Sequence, residues 1–261
     1  MPATGTAEGG DLLTTESSKS VSAKEKLIIA LDVATATDAR RAFDALRDEA
    51  GMFKVGSQLF TAAGPDFVRE LVAAGARVFL DLKFHDIPNT VAAASREAAR
   101  LGVSIFNVHA AGGGEMLRSA ADATADEAAR LAVAKPSVIA VTVLTSIDAR
   151  ALAETGVEAS SVEAHVRRLA LLAADCGLDG VVASPHEIAA VRETVARPTF
   201  LVVTPGVRPA AVPHDDQKRV MTPAGAVRAG ADFVVVGRAI LNSDDPARAA
   251  RAVVEEMEKI E

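Results

Sequence analysis

The chain has 261 residues, 49% of them hydrophobic, a net charge of −7 and a pI near 5.3. The charge argues against a broad basic face for nucleic acid, and nine Phe with no Tyr or Trp argue against stacking platforms for single strands or aromatic carbohydrate sites. The single Cys176 excludes an internal disulfide framework and a Cys-rich zinc site. No run approaches the roughly 20 apolar residues of a membrane span, and the N-terminus lacks a basic-then-apolar leader pattern. Length alone allows one large domain or two small ones. The expectation is a protein of a reducing cytoplasm.

Residues 1–23 are small and polar, rich in Gly, Thr and Ser, and read as a disordered extension that buries too little to offset ordering entropy. From residue 24 onward the pattern changes. Eight short apolar runs, rich in β-branched residues, occupy 27–31, 52–55, 76–82, 103–108, 138–144, 180–183, 199–203 and 232–236. Each is continuous rather than alternating, as expected of parallel strands buried on both faces. Ala-rich segments with helical spacing lie between them: 38–50 (with Thr37 as N-cap), 65–74, 90–101, 161–176, 223–229 and 246–259. Gly75, Gly102, Gly177 and Gly230 stand as left-handed stops. Strand-then-helix repeated eight times predicts a single-domain α/β fold over 24–261, a (β/α)8 barrel. The irregular stretch 145–160 is a candidate lid.

In such a barrel, active sites gather at the C-terminal ends of the strands, and unusual polar residues fall there. They include Asp32, Lys54, Asp81, Lys83, Asp86, Asn107, His109, Thr142, Thr145, Ser146, Ser184, Thr204, Arg208 and Gly237-Arg238. The densest cluster is Asp81-Leu82-Lys83-Phe84-His85-Asp86-Ile87-Pro88-Asn89-Thr90. Asp81 and Lys83 are two apart and so share one strand face, leaving Leu82 and Phe84 toward the helices. A lysine facing the barrel interior needs counter-charges, which Asp81, Asp32 and Asp86 supply, with Lys54 on the neighbouring strand. Such an array either closes the barrel as a salt-bridge network or presets a lysine as general acid beside a carboxylate.

A second constellation suits an anion. Arg208 follows the seventh strand and Gly237-Arg238 end the eighth, the recurrent phosphate position of this fold, with Gln217 on the loop after Arg208. Gly112-Gly113-Gly114 fits no phosphate-loop template and reads as a flexible turn. His85 and His109 read equally as structural residues, His165, His186 and His214 as surface residues, and Cys176 as core. No group has metal-ligand spacing.

Taken together, Ala30-Leu31-Asp32, Phe53-Lys54-Val55-Gly56, the decapeptide 81–90, Val141-Thr142-Val143-Leu144-Thr145-Ser146, Thr204-Pro205-Gly206-Val207-Arg208, Asp216-Gln217 and Val236-Gly237-Arg238 resemble the orotidine 5′-phosphate decarboxylase family, in order, over about 27–242. The resemblance implies conversion of orotidine 5′-phosphate to UMP and CO2 without metal or organic cofactor. It implies Lys83 as proton donor to C6 and Asp81 as the carboxylate beside the departing CO2. Lys54 and Asp32 would order the array and bind ribose hydroxyls. Asp86, Ile87 and Thr90 would reach the site of the second subunit of a homodimer. Thr145 would read the pyrimidine amide edge, and Arg208, Gln217, Gly237 and Arg238 would grip the phosphate. The loop 209–216 lacks the glycine such loops often carry after the arginine. Two other readings are a magnesium-dependent sugar-phosphate lyase or decarboxylase of the same superfamily, and a non-catalytic nucleotide-binding regulator.

Overall fold

The computed structural model describes residues 21–158, 161–209 and 221–259. Eight parallel strands close into one barrel in sequence order: β1 (Leu27–Ala30), β2 (Met52–Gly56), β3 (Val78–Phe84), β4 (Ile105–His109), β5 (Ser137–Val141), β6 (Gly180–Val182), β7 (Leu201–Thr204) and β8 (Phe233–Val236), with β1 pairing β8 to close the ring. This is the expected (β/α)8 architecture.

The strands are almost continuously buried because each of their faces meets a different core. Outward residues such as Leu27, Ile29, Phe53, Leu80, Phe106 and Val181 pack against the helices. Inward residues form a separate plug of Ile28, Ala30, Met52, Phe79, Ile105, Ile139, Val203 and Val235. Leu82 and Phe84 of β3 pack on the outer core, as the spacing predicts. At the N-terminal end of the barrel, two aspartates tie strands to helices. Asp179 accepts from the Val138 amide and Lys135, and Asp232 accepts from the Val202 amide and Arg192.

The helices are α1 (Ala23–Lys26), α2 (Ala36–Leu46), α3 (Ser57–Ala73), α4 (Pro88–Arg100), α5 (Gly113–Leu131), α6 (Ala149–Glu154), α7 (Val162–Asp175), α8 (Ile188–Thr194), α9 (Pro223–Ala229), α10 (Arg238–Leu241) and α11 (Pro246–Glu258). All four glycines expected as stops have φ between 74° and 107°. Several local expectations shift. Ser22 caps α1, so the folded chain begins before residue 24; residues 1–20 lie outside the described residues. Thr35 rather than Thr37 caps α2, accepting from the Asp38 amide at 3.1 Å. α3 begins eight residues earlier than Pro65, because Gly64 (φ 71°) and Pro65 break it into two helical pieces, of which only the second shows in the pattern. The segment 145–160 carries α6, capped by Asp148.

Five of these helices are absent from the six expected, the two longest being α5 and α8. α5 opens on Gly113 and Gly114, whose breaker signal hides the Ala-rich 19-residue helix behind it; the Gly112–Gly114 run is thus a helix entry rather than a plain turn. α8 is only seven residues long and follows a 3₁₀ turn at Pro185–Glu187. The buried Glu127 of α5 ties that helix to α4 by accepting from Arg100 at 2.7 Å, and it also accepts from Arg130 of its own helix at 2.6 Å.

Candidate active site

The inward columns of the barrel change character at one height. Two residues beyond Ala30, Met52, Phe79, Ile105 and Val235 stand Asp32, Lys54, Asp81, Asn107 and Gly237. The strand period of two therefore carries the apolar plug directly into a polar layer at the C-terminal rim. Above it opens a cavity of about 300 Å³, lined by Asp32, Lys54, Asp81 and Lys83, by Thr145 and Ser146 after β5, by Arg208 after β7 and by Gly237 and Arg238 after β8. Aliphatic and aromatic lining comes from Phe79, Val141, Val182, Val207 and Val235. Gly237 packs closely against the end of β1: a Cβ there would stand 3.3 Å from Ala30 Cβ and 3.4 Å from Asp32 Oδ2.

The charges form one alternating chain. Lys54 Nζ lies 3.0 Å from Asp32 Oδ1 and 3.2 Å from Asp81 Oδ2, and Lys83 Nζ lies 2.6 Å from Asp81 Oδ1. Lys54 is 9% exposed. Burial alone would lower its pKa, but Asp81 and Asp32 outweigh burial and hold it above its ordinary value. For Asp81 burial would raise the pKa, and the ammonium groups of Lys54 and Lys83, with hydrogen bonds from Lys83 and Asn107, pull it below the usual carboxylate range. Lys54 and Asp81 are thus held in their charged forms, as an ammonium–carboxylate pair on the cavity wall. The charge array both joins the ends of three strands and lines the cavity.

Lys83 does not sit on a regular strand. Its φ is 54°, and the β3–β4 register shifts between Leu80 and Phe84. Period-two reasoning placed Lys83 on the correct face but carried no signal for the bulge. His109, at the end of β4, stacks on His85 with ring centroids 5.4 Å apart. Burial, then the nearby His85 and Lys83, lower the His109 pKa, and its buried Nδ1 has no partner among the described residues. Thr142 donates to the Val182 carbonyl at 2.9 Å, whereas the buried hydroxyls of Ser184 and Thr204 have no partner among the described residues. Cys176 is buried, as expected.

Three expected site residues are not brought to this cavity. Asp86 and Thr90 are exposed and Ile87 is 66% exposed. The Asp86 carboxylate accepts from the Ile87 amide at 2.6 Å, shaping the entry to α4. Gln217 and all but Pro209 of the loop 209–216 lie outside the described residues. Among the described residues no three His, Cys, Asp or Glu side chains converge as a metal-ligand set, and no helix is long and apolar enough to cross a membrane. Asn107, noticed in the sequence only as a polar residue at a strand end, proves to be tied to both Asp81 and Lys83.

The chain is similar to known proteins along most of its length. The profile described as "Orotidine 5'-phosphate decarboxylase / HUMPS family" matches residues 25–253. An orotidine 5′-phosphate decarboxylase of Moorella thermoacetica is 56% identical over 239 residues, covering 91% of this chain and 94% of the relative. That of Geobacter sulfurreducens is 54% identical over 235 residues, covering 90% and 97%. The crystal structure of the orotidine 5′-phosphate decarboxylase from Lactobacillus acidophilus superposes with a TM-score of 0.79 at 36% identity, covering 88% of this chain and 98% of that one. With profile, relatives and barrel in agreement along nearly all of the described chain, this protein belongs to the orotidine 5′-phosphate decarboxylase / HUMPS family.

Proposed function

We propose that this chain is a carboxy-lyase that converts orotidine 5′-phosphate to UMP and CO2, with Lys83 as the proton donor. The single observation that carries the residue assignment is the Asp32–Lys54–Asp81–Lys83 chain on the wall of a cavity that Arg208 and Arg238 also line. When the C6–carboxylate bond breaks, its electron pair stays on C6, where the pyrimidine ring offers no delocalisation. An ammonium aimed at that carbon stabilises the charge as it develops and then delivers its proton, forming the C6–H bond of UMP. Lys83 regains a proton from solvent. Asp81, held ionised by its neighbours, meets the Lys83 Nζ at 2.6 Å and stands beside the departing carboxylate.

The remaining groups divide the substrate among them. Asp32 and Lys54 meet the ribose hydroxyls and order the array, and Thr145 reads the pyrimidine amide edge. Arg208, Gln217, Gly237 and Arg238 grip the phosphate, whose binding energy, spent far from C6, helps exclude water from the site. Asp86, Ile87 and Thr90 complete the site of a second subunit in a homodimer; their exposure away from this chain's own cavity supports that reading. The reaction needs no metal or organic cofactor and takes place in the cytoplasm.

The test is loss of orotidine 5′-phosphate absorbance on adding purified, EDTA-treated protein. Turnover that survives EDTA supports the reading; turnover restored only by magnesium would favour a metal-dependent lyase. Lys83→Ala should lower kcat by at least about 100-fold, the low end for a positioned general acid, while UMP still binds. Near-normal turnover in that variant would remove Lys83 from the role.

A further inference from the structure

Asn107 of β4 stands outside every role assigned above, yet it is fully buried and both ends of its amide are used. Its Nδ2 donates to Asp81 Oδ1 at 2.7 Å, and its Oδ1 accepts from the Lys83 backbone N–H at 2.7 Å. The partners fix the orientation of the amide, since a carboxylate oxygen takes only a donor and a backbone N–H takes only an acceptor.

The place where this happens is irregular. Leu80 pairs Phe106 and Phe84 pairs Val108, so three residues of β3, Asp81 to Lys83, stand opposite the single Asn107 of β4. Lys83 occupies the left-handed region at φ 54°, which non-glycine residues seldom adopt without surrounding constraint. A bulge in a strand re-aims a side chain and leaves amides unpaired by the neighbouring strand. Here Asn107 supplies the acceptor that the displaced Lys83 N–H needs. We infer that Asn107 is a positioning residue for the decarboxylation, its amide clamping the β3 bulge so that the Asp81 carboxylate and the Lys83 ammonium meet on the cavity wall.

The clamp acts on both members of the pair at once. Through the backbone it sets where the Lys83 side chain leaves the strand. Through Nδ2 it occupies part of Asp81 Oδ1, the same oxygen that Lys83 Nζ contacts at 2.6 Å, so the carboxylate cannot rotate away. The titratable groups facing this pair are Lys54 from β2, Asp32 from the end of β1 by way of Lys54, and His109 from the end of β4 near Lys83. Among these contacts, Asn107 supplies Asp81 with a hydrogen bond from a neutral side chain, and that bond helps hold its pKa down.

The inference rests on Lys83 as proton donor, so Lys83→Ala is measured in parallel. Two variants test the clamp. Asn107→Asp keeps the volume and the acceptor for the Lys83 amide but replaces the donor to Asp81 with a second carboxylate. Asn107→Ala removes both bonds. In both, kcat should fall at least about tenfold while the UMP dissociation constant stays within about threefold, because Asn107 shapes the reacting pair and not the phosphate grip. The acid limb of the kcat–pH profile should move to higher pH, since Asp81 loses a bond that favours its ionised form.

Three results would overturn the inference. The first is turnover within twofold of wild type, with the acid limb in place, while Lys83→Ala is inactive; the mechanism would then stand without the clamp. The second is kcat, UMP affinity and thermal stability falling together with an unmoved acid limb, or failure of both variants to fold, which would make Asn107 a structural residue only. The third is an active Lys83→Ala, which removes the proposed mechanism and the clamp with it.

Discussion

Replacing Lys54 by Met is the sharpest test of how the charge layer is held together. The substitution keeps most of the side-chain volume, so little cavity forms, and it removes the ammonium that joins Asp32 to Asp81. The two contacts are unequal. The Asp32 side chain is 49% exposed, so water replaces its partner and its pair with Lys54 counts for no more than about 1 kcal/mol. The Asp81 side chain is 14% exposed and the Lys54 side chain 11%, which places their pair near the regime where removing one partner leaves a buried charge uncompensated, at about 3–5 kcal/mol. Lys83 and Asn107 remain on Asp81 after the substitution, so the expected loss is at the lower end, about 3 kcal/mol.

Urea unfolding at pH 7 measures this as a lower midpoint with an unchanged slope. The pH dependence has a fixed sign. The folded pKa of Asp81 is depressed, so its stabilisation is fully present above the unfolded value of about 3.9 and is lost as pH falls through the folded value. The difference between wild type and variant is therefore full at pH 7 and narrows as the solution is acidified past that range. Adding Asp81→Asn to the variant should return at least about 1 kcal/mol, because the charge left without its partner is then gone. A loss below about 1 kcal/mol at pH 7, or a double variant no more stable than Lys54→Met, would refute the reading of Lys54 as the electrostatic bridge of the layer.

Arg238→Ala should lower kcat/KM by at least about tenfold, the equivalent of about 1.5 kcal/mol for a lost hydrogen bond to a charged group; unchanged kinetics would take Arg238 out of the phosphate grip. Subunit mixing tests Asp86. If it serves the neighbouring site, mixing inactive Lys83→Ala with impaired Asp86→Ala restores activity, because hybrid dimers then contain one site with both residues intact. No recovery on mixing would place Asp86 in its own subunit's chemistry or in none. The Glu127 carboxyl, held at about 2 by hydrogen bonds from Arg130 and Arg100, contributes stability present above its unfolded value near 4.3 and lost as pH falls toward 2. Glu127→Gln should flatten that part of the stability profile in acid-unfolding curves; an identical acid slope would show that the α4–α5 tie carries no linkage.

Much of this molecule is legible in the chain because its signals are local. Continuous β-branched runs ending in polar residues gave the eight strands their number and order, and glycines at 75, 102, 177 and 230 marked helix stops that do adopt positive φ. The period of two placed Asp81 and Lys83 on one face, and Asp32 and Lys54 two steps beyond the inward Ala30 and Met52. Where local signals conflict, the reading failed for a physical reason. Three glycines conceal the start of α5, and Gly64-Pro65 cuts α3 so that its first half shows no periodicity.

Other features depend on which strands become neighbours. Closing β1 to β8 brings Gly237 against Asp32, residues 205 positions apart in the chain. Pairing β3 with β4 out of register creates the bulge at Lys83 and turns Asn107, an unremarkable polar residue at a strand end, into a partner of both Asp81 and Lys83. Asp86, five residues after Asp81, is instead exposed at the entry to α4, where it accepts from the Ile87 amide. By itself the sequence determined the barrel, the charged residues at its rim and the family, because side-chain alternation and motif spacing are properties of short segments. Only the tertiary structure decided which oxygen each ammonium meets and what holds Lys83 off the regular strand, because those distances are set by barrel closure and inter-strand register, which no single segment encodes.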